Sequence, residues 1–173
     1  MTALANPGSA AVRRAPPAEM VREPSLVLTF LLGGELFAIT IRTIKEIIEY
    51  RRPTEVPSMP AAVLGVINLR GSVVPVMDLQ ARLGRTPASV GRRTCIVIVE
   101  IADGEQAQTV GIVVDSVSEV LEIPPEDVEP PPSFGARVAA EFIAGMGKVR
   151  GRFVILLDVA RVLAVGVPAE ALA

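Results

Sequence analysis

The chain repeats itself. Residues 37–50, FAITIRTIKEIIEY, align without a gap on residues 110–123, VGIVVDSVSEVLEI, and keep Ile39/Ile112, Glu46/Glu119 and Glu49/Glu122 identical. Residues 65–84, GVINLRGSVVPVMDLQARLG, align in the same way on residues 145–164, GMGKVRGRFVILLDVARVLA. This second block keeps Gly65/Gly145, Arg70/Arg150, Gly71/Gly151, Val74/Val154, Asp78/Asp158 and Leu83/Leu163. Both blocks recur in the same order at nearly the same spacing. Solenoids stack units of about 20–50 residues and need at least about three of them. A longer unit present twice therefore predicts two similar subdomains packed together, with the groove between them as the obvious functional place.

Composition narrows the function classes. At 173 residues the chain is long enough for one ordinary domain, or for two very small units sharing a core. Half of it is hydrophobic but only 3% is aromatic, with no Trp, so Val, Ile, Leu and Ala must fill the core and base-stacking platforms are lacking. A formal charge of −2 offers no basic field for phosphates, and nucleic acid is a poor partner. There is no His, which removes the commonest general base and metal ligand. No cofactor or metal is expected. The single Cys95 lies in the apolar run TCIVIVEI and reads as an inert core thiol. Every strongly apolar stretch is cut by Gly, Pro or charge short of a membrane span, and the N-terminal arginines precede no apolar signal segment. A cytoplasmic protein without direct membrane insertion is the expectation.

Along the chain, residues 1–24 are rich in Ala and Pro and read as a disordered arm, with order beginning near Ser25. LVLTFLL, Gly33-Gly34 and ELFAITI form a strand, a two-residue turn and a strand. Thr43-Ile44-Lys45-Glu46 matches the capping box of a helix start, and Ser116-Val117-Ser118-Glu119 repeats it. A brief helical turn followed by extended chain is predicted at both places. RRPTEVPSMP, and PPEDVEPPP in the second copy, read as irregular connections. GVINL, Arg70-Gly71 and SVVPVMD form a second hairpin, whose Pro75 points to an edge or bulge. Asp78 and Asp158 read as N-caps of short helices, the first closed by Gly84. RTPASVGRR reads as a flexible link, after which TCIVIVEI, the turn ADGE and QAQTVGIVVD open the second copy. About five strands and one small helix per half favour two small barrels over one sandwich. The expected domain is 25–165, its two halves drawn mainly from 25–85 and 94–165, with a C-terminal tail at 166–173.

At these residues the chain resembles the CheW family, the adaptor proteins of bacterial chemotaxis. The resemblance is carried by GELFAITIRTIKEI, VPSMPAAVLGVINLRGSVVPVMDL, TVGIVVDSVSEVLEI and FIAGMGKVRGRFVILLDVARVL, in the family's order. It implies a mainly β fold of two SH3-like, five-stranded β-barrels with short helices, packed around a shared hydrophobic centre. It also implies a scaffold without catalysis that bridges the cytoplasmic tips of chemoreceptors to the regulatory domain of a CheA-type histidine kinase, within arrays at the membrane. Receptor contact is implied for the groove between the barrels and for Ile44, Glu46 and Arg70; kinase contact is implied for exposed edges, at no particular residue. A sister pathway running pili or gliding, or a competing adaptor that does not activate the kinase, fits the same motifs. The long N-terminal arm and Ile48-Glu49, where the family often has Arg, depart from the pattern.

The residues leave plainer readings open. Glu46 serves equally as the acid of a capping box, and Arg70, beside a tight-turn glycine, as a solvated side chain. Arg150, its duplicate, reads as structural. Gly145-Met146-Gly147-Lys148 lacks the spacing of a phosphate-binding loop. Ile44, Val66, Val113, Val117 and Met146 line either a core or a groove, with core the default.

Overall fold

The computed structural model describes residues 25–103, 105–130 and 140–164. The N-terminal arm and the C-terminal tail lie outside the described residues. Among the described residues eleven strands are formed: β1 (Ser25–Leu32), β2 (Glu35–Thr40), β3 (Ile44–Glu49), β4 (Val63–Leu69), β5 (Ser72–Asp78), β6 (Cys95–Asp103), β7 (Gln106–Val114), β8 (Ser116–Ile123), β9 (Val128–Glu129), β10 (Ile143–Val149) and β11 (Arg152–Leu157). Among the same residues two short helices, α1 (Leu79–Arg82) and α2 (Val159–Val162), follow β5 and β11.

The strands make two sheets, ordered β8-β1-β2-β11-β10-β9 and β3-β6-β7-β5-β4. The sheets do not follow the sequence halves 25–85 and 94–165. The opening hairpin of each half joins the sheet built by the other half, so β1–β2 lies between β8 and β11 while β6–β7 lies between β3 and β5. The duplication survives in detail. The parallel pairing of Ile155 with Phe37 and Leu156 with Ala38 has its counterpart in Val76 with Gly111 and Met77 with Ile112. Both terminal hairpins also shift register at the same place, between Val63 and Gly65 and between Ile143 and Gly145.

The exchange follows from side-chain alternation. In β6, Val97 and Val99 face one way and Ile96 and Ile98 the other; in β7, Val110, Ile112 and Val114 oppose Val113. In β1 and β2, Leu28, Phe30, Leu32, Phe37 and Ile39 join Val97, Val99, Val110 and Ile112 in a single cluster shared by both sheets, while Val27 and Ala38 turn to a smaller one. Each opening hairpin is thus apolar on both faces and must be covered twice. It packs one face inside its sheet's own unit and the other against the opposite hairpin. At the centre Phe30 and Phe37, paired across β1 and β2, stack with ring centroids 6.3 Å apart. The predicted shared centre is therefore present, and it is filled: Ile39, Leu79, Ile112 and Leu157 border a void of only about 10 Å³.

Local readings mostly hold. Gly33 and Gly34 both take positive φ in the β1–β2 turn, as its two-residue length requires. Asp78 caps α1 by accepting from the Gln80 and Ala81 amides, and Asp158 caps α2 through the Arg161 amide. The link after α1 is anchored by Arg85, which pairs with Glu35 at 2.8 Å, and by the Ala88 amide, which donates to Asp78 Oδ2 at 3.0 Å. Pro75 is not on an edge, because β5 pairs on both sides; it precedes the first parallel pair, Val76 with Gly111, so its missing N–H removes nothing from that ladder. The irregular connections are partly ordered: Thr54 bridges Val66, and β9 pairs with Met146 and Gly147.

The capping boxes are not realised. A 3-10 turn does occur at Ile41–Thr43, but it precedes β3; Thr43 Oγ1 donates to the Thr40 carbonyl, and Glu46 lies in the strand. In the second copy β8 begins at Ser116 directly after a bend at Asp115. Both segments mark the crossing of the chain from one sheet to the other. At the second crossing Asp115 ties the sheets together, its Oδ2 accepting from the Gly33 amide at 2.8 Å and its amide donating to the Leu31 carbonyl.

Two stability tests follow. A Cβ on Gly65 would sit 2.2 Å from the Thr54 carbonyl oxygen, whereas one on Gly145 meets the Val128 side chain at 2.7 Å. Gly65→Ala is expected to cost about 1–3 kcal/mol, and Gly145→Ala less, because a side chain yields more readily than backbone; urea unfolding of both variants checks the order. Asp78 is buried and also holds the Ala88 amide, while Asp158 makes one amide contact. Asp78→Ala should therefore fall at the upper end of the roughly 0.5–2 kcal/mol cap range and Asp158→Ala at the lower, read as a difference in melting temperature.

Candidate functional site

The turn between β4 and β5 is two residues long, and both take left-handed backbone, Arg70 at φ +53° and Gly71 at φ +88°. Such turns favour Asn-Gly or Gly-Gly, and an arginine there is strained. The Asn68 side chain braces the turn by accepting from the Gly71 amide at 3.0 Å. Arg70 in turn reaches Glu46 on β3, donating from Nη1 to Oε2 and from Nη2 to Oε1, the second at 2.7 Å. β3 and β4 stand at opposite ends of their sheet's strand order, so this bidentate pair bridges the two margins of the sheet. The Arg70 side chain is 72% exposed and that of Glu46 25%. An ion pair so exposed returns little stability, less than the strained turn removes. Folding alone does not account for an arginine here.

Beneath the pair opens a cleft of about 560 Å³, bordered by Lys45, Glu46, Leu69 and Arg70 and by the β5 and β7 residues Val73, Pro75 and Gln108. All of them belong to one sheet. The cleft therefore lies within one unit, unlike the inter-unit groove predicted from the repeat. Its lining mixes the apolar floor of Val74 and Ile98 with amide, hydroxyl and charged groups at the rim. Among the described residues no cluster of His, Cys, Asp or Glu has the makings of a metal site.

Electrostatics is local. Hydrogen bonds from Arg70 hold the Glu46 carboxyl below its ordinary range, opposed by partial desolvation and assisted by the charges of Arg70, Lys45 and Arg51. The same bond raises the Arg70 guanidinium. Because the folded carboxyl is depressed, its contribution to stability is present above the unfolded pKa and disappears as pH falls through the folded one. Cys95 is half-buried; desolvation, then the nearby Glu49, push its thiol up, which disfavours the reactive thiolate.

Of the residues singled out in the sequence, Glu46 and Arg70 meet; Ile44 does not join them. The register shift between Ile44 and Glu46 turns Ile44 onto the shared core, where it is half-buried. Val117 and Met146 pack on that core as well, Val113 belongs to the interior of the β3–β7 unit, and Val66 is half-buried beside Thr54. Gly145–Lys148 lies inside β10 and is no loop. The sequence reading missed that Arg150 and Glu119 form the duplicate of the clasp: Arg150 has φ +52° and its Nη1 donates to Glu119 Oε2 at 3.2 Å. The aligned Glu46/Glu119 and Arg70/Arg150 pairs contain that signal, since two residues that touch in one copy should touch in the other. The Gln106–Thr109 rim had no signal in the sequence.

The model of the CheW-like domain matches residues 26–166. The chain belongs to the CheW family. It is 35% identical over 136 residues to the chemotaxis protein CheW of Klebsiella aerogenes, covering 79% of this chain and 80% of that protein. It is 30% identical over 122 residues to the protein FrzA of Myxococcus xanthus, covering 70% and 73%. The crystal structure of the scaffolding protein TtCheW from Thermoanaerobacter tengcongensis superposes with a TM-score of 0.74 at 31% identity, over 83% of this chain and 90% of that one. The two sheets are thus the SH3-like subdomains of the CheW fold, and the chain is a chemotaxis adaptor of a non-catalytic scaffold family. Among the described residues no helix is long and apolar enough to cross a membrane.

The Glu46 titration tests the clasp. Its side-chain carboxyl, followed by carbon NMR, should titrate below the ordinary value of a glutamate, and Arg70→Ala should raise it; an unchanged midpoint would mean that the pair does not form in solution.

Proposed function

We propose that this CheW-family adaptor couples the cytoplasmic tips of chemoreceptors to the regulatory domain of a CheA-type kinase, recruited from the cytoplasm to receptor arrays, with the cleft margin at Glu46 and Arg70 as its receptor-facing surface. The observation that supports this reading most is the exposed Arg70 held in a strained turn over a half-apolar cleft, an arrangement that costs stability and presents to a partner the guanidinium N–H groups not engaged by Glu46. Ile44 contributes from behind, by seating β3 on the shared core so that Glu46 stands at the rim. A receptor helix would be read by a few anchors at helical spacing. Contacts of this kind are individually weak and gain strength when several are engaged together, as in an array.

A second reading, an adaptor of a sister chemosensory pathway, draws on the likeness to FrzA and uses the same surface. Kinase autophosphorylation with receptor-bearing membranes, with and without the chain, tests the coupling. Activation that attractant switches off supports the coupler; suppression would make the chain a competing adaptor. Arg70→Glu should lower activation about tenfold or more while the melting temperature stays within a few degrees. The exchanged pair Glu46→Arg with Arg70→Glu restores the ion pair but not the surface, so recovery of activation in that double variant would assign the residues a purely structural role.

A further inference from the structure

The two arginine turns share a backbone and differ in what holds them. Arg70-Gly71 joins β4 to β5 with φ of +53° and +88°; Arg150-Gly151 joins β10 to β11 with φ of +52° and +79°. In each, the ladder closes on the flanking pair, Leu69 with Ser72 and Val149 with Arg152, so the amide of the turn glycine lies beyond it and needs another acceptor. In the first copy Asn68 supplies one, its Oδ1 accepting from the Gly71 amide at 3.0 Å. The aligned residue in the second copy is Lys148, whose ammonium only donates and has nothing to offer the Gly151 amide.

The clasps differ in the same sense. Arg70 grips Glu46 through two hydrogen bonds, whereas Arg150 reaches Glu119 through one, at 3.2 Å. The partners are the same residue types at aligned positions, and the turns have the same backbone, so neither explains the difference. The acid does not explain it either. The backbone of Glu119 is the more firmly held of the two: the buried Thr29 hydroxyl donates to its carbonyl at 2.9 Å and accepts from its amide at 3.1 Å. Opposite Glu46 stands Ile98, whose side chain has no polar atom. The better-anchored acid thus belongs to the weaker clasp, and the cause lies on the arginine side. There the copies differ at Asn68/Lys148, Leu69/Val149, Ser72/Arg152 and Val73/Phe153, and of these side chains Asn68 is the one bonded to the turn.

We propose that Asn68 is the positioning residue of the Glu46–Arg70 rim, and that the Asn68/Lys148 difference decides which of the two duplicated margins is preformed for a partner. The functional half of this inference rests on the reading of that rim as the receptor-facing surface. A bidentate bond fixes both terminal nitrogens of a long side chain, and each freedom frozen to make it counts against it. A turn tied at its tip by Asn68 has lost part of that freedom before the clasp closes. Arg150 stands on an untied tip and makes one bond. Asn68 touches neither Glu46 nor a partner in this scheme; it acts through the turn, by fixing where Arg70 starts from.

Amide hydrogen exchange and guanidinium nitrogen NMR on the full chain test the proposal. In the unaltered protein the two terminal nitrogens of Arg70 should give separate signals, because a bidentate bond stops rotation of the group, and those of Arg150 should average. Asn68→Ala should speed exchange at the Gly71 amide about fivefold, as expected for one lost hydrogen bond, and merge the Arg70 signals. Asn68→Asp keeps the acceptor and should keep the Gly71 amide slow. Lys148→Asn is the converse: it should slow the Gly151 amide by a similar factor and separate the Arg150 signals. Because it adds a bond, its result does not depend on how the fold tolerates Asn68→Ala. Arg70 signals that stay separate in Asn68→Ala would overturn the proposal, and so would a Lys148→Asn chain whose Gly151 amide slows while Arg150 still averages. Kinase activation with receptor-bearing membranes should fall about threefold or more in Asn68→Ala, since the rim must then be ordered on binding. A loosened clasp with full activation would leave Asn68 its positioning role and overturn the receptor-facing reading of the rim instead.

Discussion

Two hairpins that are apolar on both faces dictate the rest of this molecule. A half-buried strand needs one cover; β1–β2 and β6–β7 need two, and a unit of about five strands and one small helix has only one interior to give. Packing the second face of each hairpin against the other solves the problem for both copies at once. The duplicated chain is therefore not two domains in a row. Neither half is complete alone, because each sheet takes its central hairpin from the other half, and the largest core cluster belongs to both. A single unit cut out at a sequence boundary would expose Phe30, Phe37 and their partners, the largest fully buried side chains, and lose the greater part of its hydrophobic stabilisation.

On that common frame the copies have diverged where packing does not constrain them. The centre keeps matched residues, as in Ile39 and Ile112 or the bulge glycines Gly65 and Gly145, because a change there is felt by both sheets. At the surface, the clasp of Glu46 and Arg70 is bidentate whereas that of Glu119 and Arg150 is a single bond at 3.2 Å. Arg82 and Phe142 show divergence turned to use: the Arg82 Nε donates to the Val162 carbonyl at 2.6 Å, and its guanidinium lies 4.6 Å from the Phe142 ring centroid, locking α1 to α2 without a mirrored partner.

What the sequence made legible was local or repeated. The Gly33-Gly34 turn and the Asp78 and Asp158 caps each depend on a few adjacent residues, and they were read correctly. The family pattern carried the fold class. The hairpin exchange was invisible, because periodicity states that a strand is buried on both faces without naming what covers it. The capping boxes misled for a related reason. Thr43-x-x-Glu46 satisfies a helix start locally, yet the β-branched run from Ile44 to Ile48 pairs with β6, and the ladder outweighs one turn of helix. Glu46 and Arg70 were each singled out by the sequence, but their meeting across the sheet margin is long-range and needed coordinates. The placement of the cleft within one unit is a consequence of the same exchange, which fills the space between the units that the repeat alone seemed to leave for a ligand.

The shared core also bears on how a non-catalytic adaptor transmits anything. A scaffold without catalysis has only position to offer: it holds one partner at a defined place relative to another. Two subdomains on a flexible tether would lose that relation at each engagement, since a free linker dilutes the effective concentration of the second site. Here the tether is absent as a mechanical element. The chain crosses from sheet to sheet at Ile41–Thr43 and again at Asp115, and the second crossing is bonded to the turn of the opposite hairpin. The Glu46–Arg70 rim is joined through β3 to β6 by strand pairing, and through Val97 and Val99 to the cluster that holds the aromatic centre of the other sheet. Bending one unit against the other would open that centre to water. The stiffness that the double burial creates is thus the property that a scaffold needs, and it is obtained from the same residues that make the fold.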